Sequence, residues 1–493
     1  MNAEKGVLLI LDGMGMAPEQ GRAASATTAE HMPYVHSLMQ RHGHALLQAS
    51  GSAIGLDEGV AGNSEVGHLT IGSGEVLQST LARVREGYHS GVWLQSPVWQ
   101  RLAQKQAVHV VGLLSDAGVH AHWQTLSMAA QVARQAGFAK VYLHLLLDGV
   151  DSQAGSAPAI LDELRAALES LQDSSVVLSS VMGRKWGMDR SGNWALTDEC
   201  CRALMDASRD NVFSPDALRE HLAGDSEASF PPAYCAGGQS IAAGDTVLLT
   251  LHRADRISQL AKRLNEHCRV LSLIELKQDA VPVDDVFFPT RAYDNGLVRQ
   301  LKRLGYRTTR LAEQCKFPHV TYFMDGMSPD SEAETIMIPT ISDDEIRLNP
   351  LMSIQQMTDT LETLLASRDG SHALIVNIPN LDQVGHTGDL ELTARAARCV
   401  DELVSKVVTW CELHQWQLAI TADHGNADRM RDENGKALGS HSANPVPLLL
   451  IDRHKPVEWA AHQGTLANVA ASFLGLLGHT APSHFEPALI AIA

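Results

Sequence analysis

Short apolar runs alternate along this chain with longer amphipathic stretches, and that alternation constrains the fold more than any other feature. Runs rich in β-branched residues or leucine predict buried strands at Gly6–Leu11, Val108–Leu114, Val141–Leu147, Thr246–Leu251, His319–Phe323, Ala373–Ile378, Gln417–Thr421 and Val446–Ile451. Periodic stretches between them predict helices at Trp123–Gln135, Ala157–Leu171, Ile257–Asn265, Ser353–Ser367 and Leu390–Cys411. Because strands and helices alternate at this spacing, we expect an α/β protein with mainly parallel sheets.

Two stretches interrupt this pattern and suggest how the chain divides into domains. One lies near Gln78–Glu86, after the glycine-rich run around Gly72 and Gly74, and the other spans Lys277–Pro289. If the segment between them is an inserted domain, the outer domain is discontinuous. We therefore expect residues 1–77 and 292–493 to form one α/β domain and residues 78–291 to form a second.

The charge and composition of the chain exclude several classes of partner. Its 493 residues include 39 Lys and Arg against 57 Asp and Glu, a formal net charge of −18. Such an acidic surface repels a phosphodiester backbone, so we expect no nucleic-acid partner, although a local basic pocket can still bind a small anion. No run approaches the ~20 apolar residues of a membrane span, and no targeting segment is visible. The cysteines are scattered without a CxxC spacing, which predicts reduced thiols and a cytoplasmic protein.

Carboxylates and imidazoles follow several of the predicted strands. The residues concerned are Asp12, Asp382, His386, Asp423, His424 and His441, most of them flanked by glycine. Ligands of open α/β sheets bind beyond the carboxyl ends of the strands, so these loops could converge on one crevice. The mixture of donors suits Mn²⁺ or Zn²⁺ better than Ca²⁺ or Mg²⁺ alone. Any one such residue is more often a helix cap, a turn residue or a surface residue; the clustering is what predicts a metal site.

A serine with unusual surroundings lies in the stretch GNSEVGH. Ser64 has glycines nearby and precedes a predicted helix, whose first N–H groups would favour negative charge on its oxygen. A serine hydroxyl becomes a useful nucleophile when a base or a metal ion lowers its pKa. The alternative is that Ser64 caps the helix with Glu65 in the first turn, and the local pattern alone favours that interpretation.

Candidate anion-binding residues are concentrated in the middle of the chain. His120 and Asp151 follow predicted strands, Lys316 precedes one, and arginines occur in pairs at Arg184, Arg190, Arg253 and Arg256. The rigid guanidinium fork matches carboxylate and phosphate oxygens, so these residues predict a pocket for a small dianion. The alternative for Arg253 and Arg256 is a solvated face shared with Asp255.

Taken together, these stretches resemble the cofactor-independent (2,3-bisphosphoglycerate-independent) phosphoglycerate mutase family of the alkaline-phosphatase-like metalloenzyme superfamily. The motifs occur in the order of the family and span nearly the whole chain: LDGMG, GNSEVGH, GLLSDAGVHAH, LLDGVD, MGRKWGMDR, HRADR, KFPHVTYF, DQVGHTGD, TADHGN and HSANPVP. The resemblance implies an alkaline-phosphatase-like metal domain interrupted by an inserted transferase domain. It implies a monomer without a membrane partner that interconverts 3-phosphoglycerate and 2-phosphoglycerate. It also implies two divalent ions, usually Mn²⁺ but with Zn²⁺, Co²⁺ or Mg²⁺ as alternatives, and no requirement for 2,3-bisphosphoglycerate.

The resemblance also assigns roles position by position. One ion would be held by Asp382, His386 and His441, and the other by Asp12, Ser64, Asp423 and His424. Ser64 would carry the phosphoryl group, with Asp151 and Lys316 as further catalytic residues. Substrate contacts would fall on His120, Asp151, Arg184, Arg190, Arg253, Arg256 and Lys316. A cleft between the two domains would close during transfer and exclude water.

One departure from the family concerns the substrate. Most relatives carry arginine between the Gly and the Asp of the DGxD stretch, where this chain has Val150. A charge-assisted hydrogen bond contributes about 1.5–3 kcal/mol, so affinity or substrate choice could change tenfold or more. Two alternatives therefore stay open: a related metal-dependent phosphomutase or phosphatase for another small phosphate or phosphonate, and an inactive relative that binds a metabolite.

Overall fold

The structure divides into two compact units. It is a computed structural model that describes residues 4–102, 105–171, 173–206, 212–222, 227–276, 280–282, 285–289, 293–328 and 332–491. Unit 1 comprises residues 1–78 and 292–493, and unit 2 comprises residues 79–291. Within the irregular stretch predicted at Lys277–Pro289, residues 277–279 and 283–284 lie outside the described residues.

Strands and helices alternate along the described chain, as the apolar pattern predicts. The strands are β1 Lys5–Leu11, β2 Ala45–Gln48, β3 Ala107–Leu114, β4 Lys140–Leu147, β5 Val176–Gly183, β6 Val212–Phe213, β7 Ala233–Cys235, β8 Thr246–Leu249, β9 Arg269–Ser272, β10 Arg307–Glu313, β11 Glu334–Ile338, β12 His372–Ile378, β13 Gln417–Thr421, β14 Val446–Ile451 and β15 Gln463–Thr465. The α-helices are α1 Pro33–His42, α2 Ser64–Ser73, α3 Thr80–His89, α4 Pro97–Gln100, α5 Trp123–Gln135, α6 Ala157–Ser170, α7 Arg184–Gly187, α8 Trp194–Met205, α9 Pro215–Leu222, α10 Ala254–Asn265, α11 Leu297–Arg303, α12 Asp343–Leu348, α13 Ile354–Ser367, α14 Asn380–Gly385, α15 Leu390–His414 and α16 Asn468–Leu476. Shorter 3₁₀ turns lie at Glu19–Ala24, Gly51–Ile54, Glu227–Ser229 and Gln314–Lys316.

Unit 1 is built on an eight-stranded sheet in the order β11-β10-β12-β1-β13-β14-β2-β15. The first five of these strands are mutually parallel, and β14 then runs antiparallel to β13. Strand β1 contains the apolar run Val7–Leu11, every residue of which is fully buried in an apolar cluster that also includes residues of helices α1, α13, α15 and α16. Such a run, buried on both faces, is what a central parallel strand requires.

Unit 2 contains a seven-stranded sheet in the order β6-β7-β5-β4-β3-β8-β9. Strands β5, β4, β3, β8 and β9 are parallel neighbours. Alternate residues of β3 enter different apolar clusters, with Val108 and Val110 in one and Val111 and Leu113 in the other. Apolar side chains therefore cover both faces of this sheet, and the predicted α/β class is confirmed for the described chain.

The strand predicted at His319–Phe323 is wrong. These residues form one turn of π-helix after Pro318, and the hydroxyl of Thr321 donates to the carbonyl oxygen of Phe317, 2.7 Å away. The imidazole of His319 stacks on Phe323 with ring centroids 5.5 Å apart, a contact between residues four apart in the chain. The β-branched and aromatic composition suggested a strand, but the packing of this turn decides its conformation.

The stretch near Gln78–Glu86 is more regular than the sequence suggested. Helix α3 begins at Thr80, and the hydroxyl of Ser79 caps it by accepting a hydrogen bond from the N–H of Ala82. The change from unit 1 to unit 2 therefore falls at a helix start rather than in a long irregular connection.

Two further observations concern the chain as a whole. Among the residues that the structure describes, no helix combines the length and apolar character that a membrane crossing demands. All seven cysteines lie in the described part of the chain and are thiols rather than disulfides, as their scattered spacing predicts.

Candidate metal centre and anion pocket

Four charged side chains of unit 1 follow four neighbouring parallel strands. Asp12 comes directly after β1, Asp382 lies in α14 after β12, Asp423 follows β13 and Lys316 ends the 3₁₀ turn after β10. The strands are adjacent in the order β10-β12-β1-β13, so their carboxyl ends share one edge of the sheet. Residues as distant in sequence as Asp12 and Asp423 thus meet because the strands are parallel.

Two glycines allow the loops to approach closely enough to form the site. Gly13 has a positive φ of 81°, and a Cβ atom there would lie 2.8 Å from the backbone of Asp382. On helix α2, a Cβ atom at Gly67 would lie 2.5 Å from the carbonyl oxygen of Asp423. A side chain at either position would push apart the loops that carry the candidate ligands.

Ser64 is the first residue of α2 and not its cap. The side chain of Asn63 accepts the capping hydrogen bond from the N–H of Val66 at 3.0 Å, so the interpretation of Ser64 as the cap is wrong. The Ser64 side chain is nearly buried, and its Oγ lies 2.5 Å from Lys316 Nζ, 3.0 Å from His424 Nε2 and 3.4 Å from Asp12 Oδ1.

Lys316 carries a buried ammonium at the centre of this cluster. Its Nζ lies 2.9 Å from Asp12 Oδ1 and 2.7 Å from Asp382 Oδ2. Burial alone would lower the pKa of Lys316, but the surrounding carboxylates of Asp12, Asp382 and Asp423 outweigh burial and raise it. The ammonium is therefore charged and stands beside the Ser64 oxygen.

Asp382, His386 and His441 form one candidate set of metal ligands. Asp382 Oδ1 lies 3.3 Å from His386 Nε2 and 3.2 Å from His441 Nε2, and the two Nε2 atoms are 3.3 Å apart. His386 Nδ1 lies 2.7 Å from the carbonyl oxygen of Gly439, and His441 Nδ1 lies 2.7 Å from the carbonyl oxygen of Gly62. A nitrogen beside a carbonyl oxygen is the donor, so in the neutral rings both Nε2 lone pairs face the carboxylate. Three lone-pair donors that converge in this way fit a divalent cation.

Asp12, Asp423 and His424 form a second set, and all three are fully buried. Asp423 Oδ1 accepts hydrogen bonds from the N–H groups of Gly13 and His424. Its Oδ2 is buried and accepts no well-aligned hydrogen bond from the described residues; the imidazole nitrogens of His68 and His424 lie 3.2 and 3.5 Å away. His424 Nε2 lies 3.4 Å from Asp12 Oδ1 and 3.5 Å from Asp423 Oδ2. A buried carboxylate oxygen without a hydrogen bond is costly unless a cation satisfies it, so this set also fits a metal ion.

The candidate anion-binding residues of unit 2 follow its parallel strands in the same manner. His120, Asp151, Arg184 and Arg253 lie after β3, β4, β5 and β8 respectively. His120 Nε2 lies 3.3 Å from Asp151 Oδ2, and Arg184 donates to that same oxygen at 2.6 Å.

His120 is a buried and electrostatically perturbed imidazole. Burial lowers the pKa of His120 to about 4; Asp151 acts in the opposite direction, and Arg184, Arg253 and Arg256 lower it further. Its Nδ1 is buried and has no hydrogen-bond partner among the described residues. The ring is thus neutral at pH 7 and keeps one nitrogen available for a ligand.

Arg190, Arg253 and Arg256 gather around a single carboxylate. Their guanidinium nitrogens lie 3.4, 3.7 and 3.8 Å from oxygens of Asp255. Three cations around one anion leave a local excess of positive charge, which suits a dianionic ligand. Val150, in contrast, is 64% exposed and offers this region no polar side-chain atom.

Sequence reasoning missed the residue that organises the loop around Asp151. Asp148 is buried, and its carboxylate accepts hydrogen bonds from the hydroxyl of Ser115 at 2.6 Å and from the backbone N–H of Asp151 at 3.1 Å. It also pairs with Arg184, so that arginine is held between Asp148 and Asp151. The DGVD motif contained the signal, since an Asp that precedes Gly commonly bonds the backbone two or three residues on.

A layer of buried amides and one imidazole behind the candidate metal ligands was also missed. Asn377 Nδ2 lies 2.7 Å from Asp12 Oδ2, and Asn426 Nδ2 lies 2.9 Å from Asp382 Oδ1. His68 Nδ1 lies 3.2 Å from Asp423 Oδ2. The GNSEVGH and TADHGN motifs contain His68 and Asn426, but no local pattern indicates which carboxylate each one contacts.

Comparison with known proteins places this arrangement in a family. A family model described as the metalloenzyme superfamily matches residues 4–481. The 2,3-bisphosphoglycerate-independent phosphoglycerate mutase of Moorella thermoacetica is 32% identical over 497 residues, covering 96% of this chain and 95% of that protein. The protein of the same name from Legionella pneumophila is 33% identical over 501 residues and covers 97% and 96% of the two chains.

A solved structure agrees with the sequence comparison. Leishmania mexicana phosphoglycerate mutase, crystallised at low cobalt concentration, superposes with a TM-score of 0.70 at 26% identity and covers 100% of this chain and 98% of that one. The family that the sequence motifs suggested is thereby confirmed. The chain is an enzyme of the 2,3-bisphosphoglycerate-independent phosphoglycerate mutase family, within the metalloenzyme superfamily.

Proposed function

We propose that this enzyme interconverts 3-phosphoglycerate and 2-phosphoglycerate through a phosphoserine on Ser64, without 2,3-bisphosphoglycerate. The observation that carries the proposal is the surroundings of Ser64 Oγ. This buried oxygen lies 2.5 Å from Lys316 Nζ and 3.0 Å from His424 Nε2. A hydroxyl surrounded by a fixed ammonium and metal-ligand side chains is suited to attack on phosphorus.

The proposed cofactors are two divalent ions, with Mn²⁺ as first choice and Co²⁺, Zn²⁺ or Mg²⁺ as alternatives. Asp382, His386 and His441 would hold one ion, and Asp12, Ser64, Asp423 and His424 the other. Bound there, the ions would make the Ser64 hydroxyl more acidic and offset the negative charge of the phosphoryl group.

The chain's own residues account for the remaining steps. Ser64 Oγ forms a bond to phosphorus as the bond from phosphorus to the 3-oxygen of glycerate breaks, and the departing oxygen takes up a proton. The 2-hydroxyl then attacks the phosphoserine, loses its proton and releases Ser64. Lys316 would donate to phosphoryl oxygens in both steps, since its ammonium is buried and charged.

The unit 2 residues would bind the glycerate portion and move protons. Arg184, Arg190, Arg253 and Arg256 supply the cations for a carboxylate and hydroxyls. His120 and Asp151, 3.3 Å apart, would exchange protons with the two glycerate hydroxyls. We also propose that the enzyme is a monomer and that it works in the cytoplasm.

A second candidate is favoured by the exposed valine in the anion pocket. Because Val150 replaces the arginine of most relatives, a related phosphomutase or phosphatase reaction on another small phosphate or phosphonate is the alternative. Arg184 and the arginines around Asp255 argue that a dianion still binds, so we rank the phosphoglycerate reaction first.

The experiment uses purified protein with Mn²⁺ and 3-phosphoglycerate, with product measured by enolase coupling. We expect turnover in the wild type and none in Ser64→Ala, and mass spectrometry should detect phosphoserine at position 64 in substrate-treated wild type. Ser73→Ala, which removes a buried hydroxyl from the other end of the same helix, is the matched control and should retain activity. Active Ser64→Ala protein would refute the covalent mechanism, and a wild type active only on other phosphates would favour the second candidate.

A further inference from the structure

The carboxylates of Asp12 and Asp423 are backed by two side chains that have no assigned role. His68 lies on α2 one turn after Ser64, and Asn377 lies in β12; both are fully buried. Asn377 Nδ2 is 2.7 Å from Asp12 Oδ2 and 3.1 Å from His68 Nε2. His68 Nδ1 is 2.9 Å from the carbonyl oxygen of Ser64 and 3.2 Å from Asp423 Oδ2.

The direction of each hydrogen bond in this network follows from the acceptor atoms at its two ends, on Asp12 at one end and on Ser64 and Asp423 at the other. The amide of Asn377 must direct its NH₂ group at Asp12, because the opposite orientation would bring two oxygens together at 2.7 Å. The second hydrogen of that NH₂ group then points to His68 Nε2, which must accept it. His68 therefore carries its proton on Nδ1, where the two neighbouring atoms, Ser64 O and Asp423 Oδ2, are both acceptors.

This arrangement decides which oxygen of Asp12 faces the reaction. Asp12 Oδ2 is occupied by Asn377, so Oδ1 is the oxygen that faces Lys316 at 2.9 Å, Ser64 at 3.4 Å and His424 at 3.4 Å. His68 ties the same network to the backbone of Ser64 at the start of α2. The two residues thus connect three loops, those of β1, β13 and α2, that meet at one candidate ion.

We propose that His68 and Asn377 form a positioning bridge, which fixes the orientation of Asp12, Asp423 and Ser64 so that they can bind one of the two metal ions. The bridge rests on the proposed function only in assuming that the Asp12 and Asp423 pair binds a divalent cation. Residues that orient metal ligands typically contribute 10–100-fold to affinity. The hydrogen bonds and ion pairs of His68 and Asn377 reach Asp12, Ser64 and Asp423 and not Asp382, His386 or His441, so we expect the bridge to act on one ion and not on the other.

The main test replaces the donor by an acceptor of the same shape. Asn377→Asp places a carboxylate oxygen against Asp12 Oδ2. In Co²⁺ titrations followed by visible absorption, we expect one binding step to weaken at least tenfold with an altered spectrum while the other step is unchanged. His386→Ala, which removes a ligand from the other set only, identifies which step is which.

A matched variant distinguishes a loss of ligand positioning from a general loss of stability. Asn468→Asp makes the same chemical change at another buried asparagine of unit 1, whose partners are Thr465 and Pro487. We expect its Co²⁺ titration to be that of the wild type, even if its unfolding free energy falls. Equal effects of Asn377→Asp and Asn468→Asp on Co²⁺ binding, or no effect of Asn377→Asp, would overturn the bridge.

A measurement on the wild type avoids the risk that a variant fails to fold. Histidine-selective ¹⁵N labelling of the metal-free protein, with the signal assigned by His68→Gln, should show a proton on His68 Nδ1 and none on Nε2. An Nε2–H tautomer would contradict the network. A wild-type protein that binds no Co²⁺ at all would instead refute the proposed function, and the tautomer would still decide the contacts of His68.

Discussion

Glu313 offers a sharp test of how burial controls charge next to the candidate site. It is fully buried at the end of β10, three residues before Lys316, and its Oε1 accepts a hydrogen bond from the N–H of Ser353 at 3.1 Å. Its Oε2 has no hydrogen-bond partner among the described residues. Burial raises the pKa of Glu313 to about 7, although hydrogen bonds from Ser353 and Thr340 act in the opposite direction.

The sign and size of the effect on stability follow from that pKa. The folded state holds the proton up to about pH 7, whereas in the unfolded chain the carboxyl ionises near its ordinary value of 4.5. Between these values the folded state binds more protons, so its stability falls as pH rises. A difference of about 2.5 pKa units corresponds to about 3 kcal/mol, which is present below pH 4.5 and lost above pH 7.

The perturbation is Glu313→Gln, which removes the ionisation and keeps the shape. The unfolding free energy of the variant minus that of the wild type, measured on metal-free protein in urea, should increase by about 2–3 kcal/mol from pH 5 to pH 8. Hydrogen exchange of peptides from β10 and β12 reports on unit 1 alone. Glu362→Gln, at an exposed position on α13, is the control and should show no such gain. If the wild-type and Glu313→Gln stabilities differ by the same amount at both pH values, the burial argument fails.

Two further substitutions test the charges of the site. Lys316→Met removes the ammonium that pairs with Asp12 and Asp382, so the metal-free variant should lose about 3–5 kcal/mol of unfolding free energy in urea. Mn²⁺ should then increase the stability of the variant more than that of the wild type. Equal effects of Mn²⁺ on the two proteins would contradict this reasoning. Val150→Arg adds a cation at an exposed position of the anion pocket, and the KM for 3-phosphoglycerate in the enolase-coupled assay should fall about tenfold or more. An unchanged KM would mean that this position does not contact the substrate.

The parts of the fold that sequence predicts best are the strands with unbroken apolar runs. Strand β1 is such a run, and its bounds agree with the prediction to within one residue. Strand β10, Arg307–Glu313, was not predicted because polar residues interrupt it. Arg310 is fully buried there and pairs with Asp325 at 3.0 Å, a partner that only the folded chain supplies.

Ser64 illustrates how local and long-range information differ. The local pattern favoured Ser64 as a helix cap, yet Asn63 takes that role and releases the Ser64 hydroxyl to face Lys316. Lys316 is 252 residues away, so its proximity depends on the order of strands in the sheet and not on any feature near Ser64. The family motifs nevertheless point to Ser64, because they carry this long-range information implicitly.

The same physical rule explains what could and could not be anticipated in both units. Parallel strands bring their carboxyl ends to one edge, so charged residues after successive strands can be expected to converge without any knowledge of distances. The orientation of each side chain after convergence depends on buried partners such as Asn377, Asn426 and Asp148, whose hydrogen bonds connect different strands or the segments that follow them. The DGVD motif marks Asp148 as a turn residue, but no local pattern indicates which charged group Asn377 or Asn426 contacts. The sequence therefore predicts a set of candidate ligands, whereas only the folded structure shows which oxygen of each carboxylate faces Ser64 and Lys316.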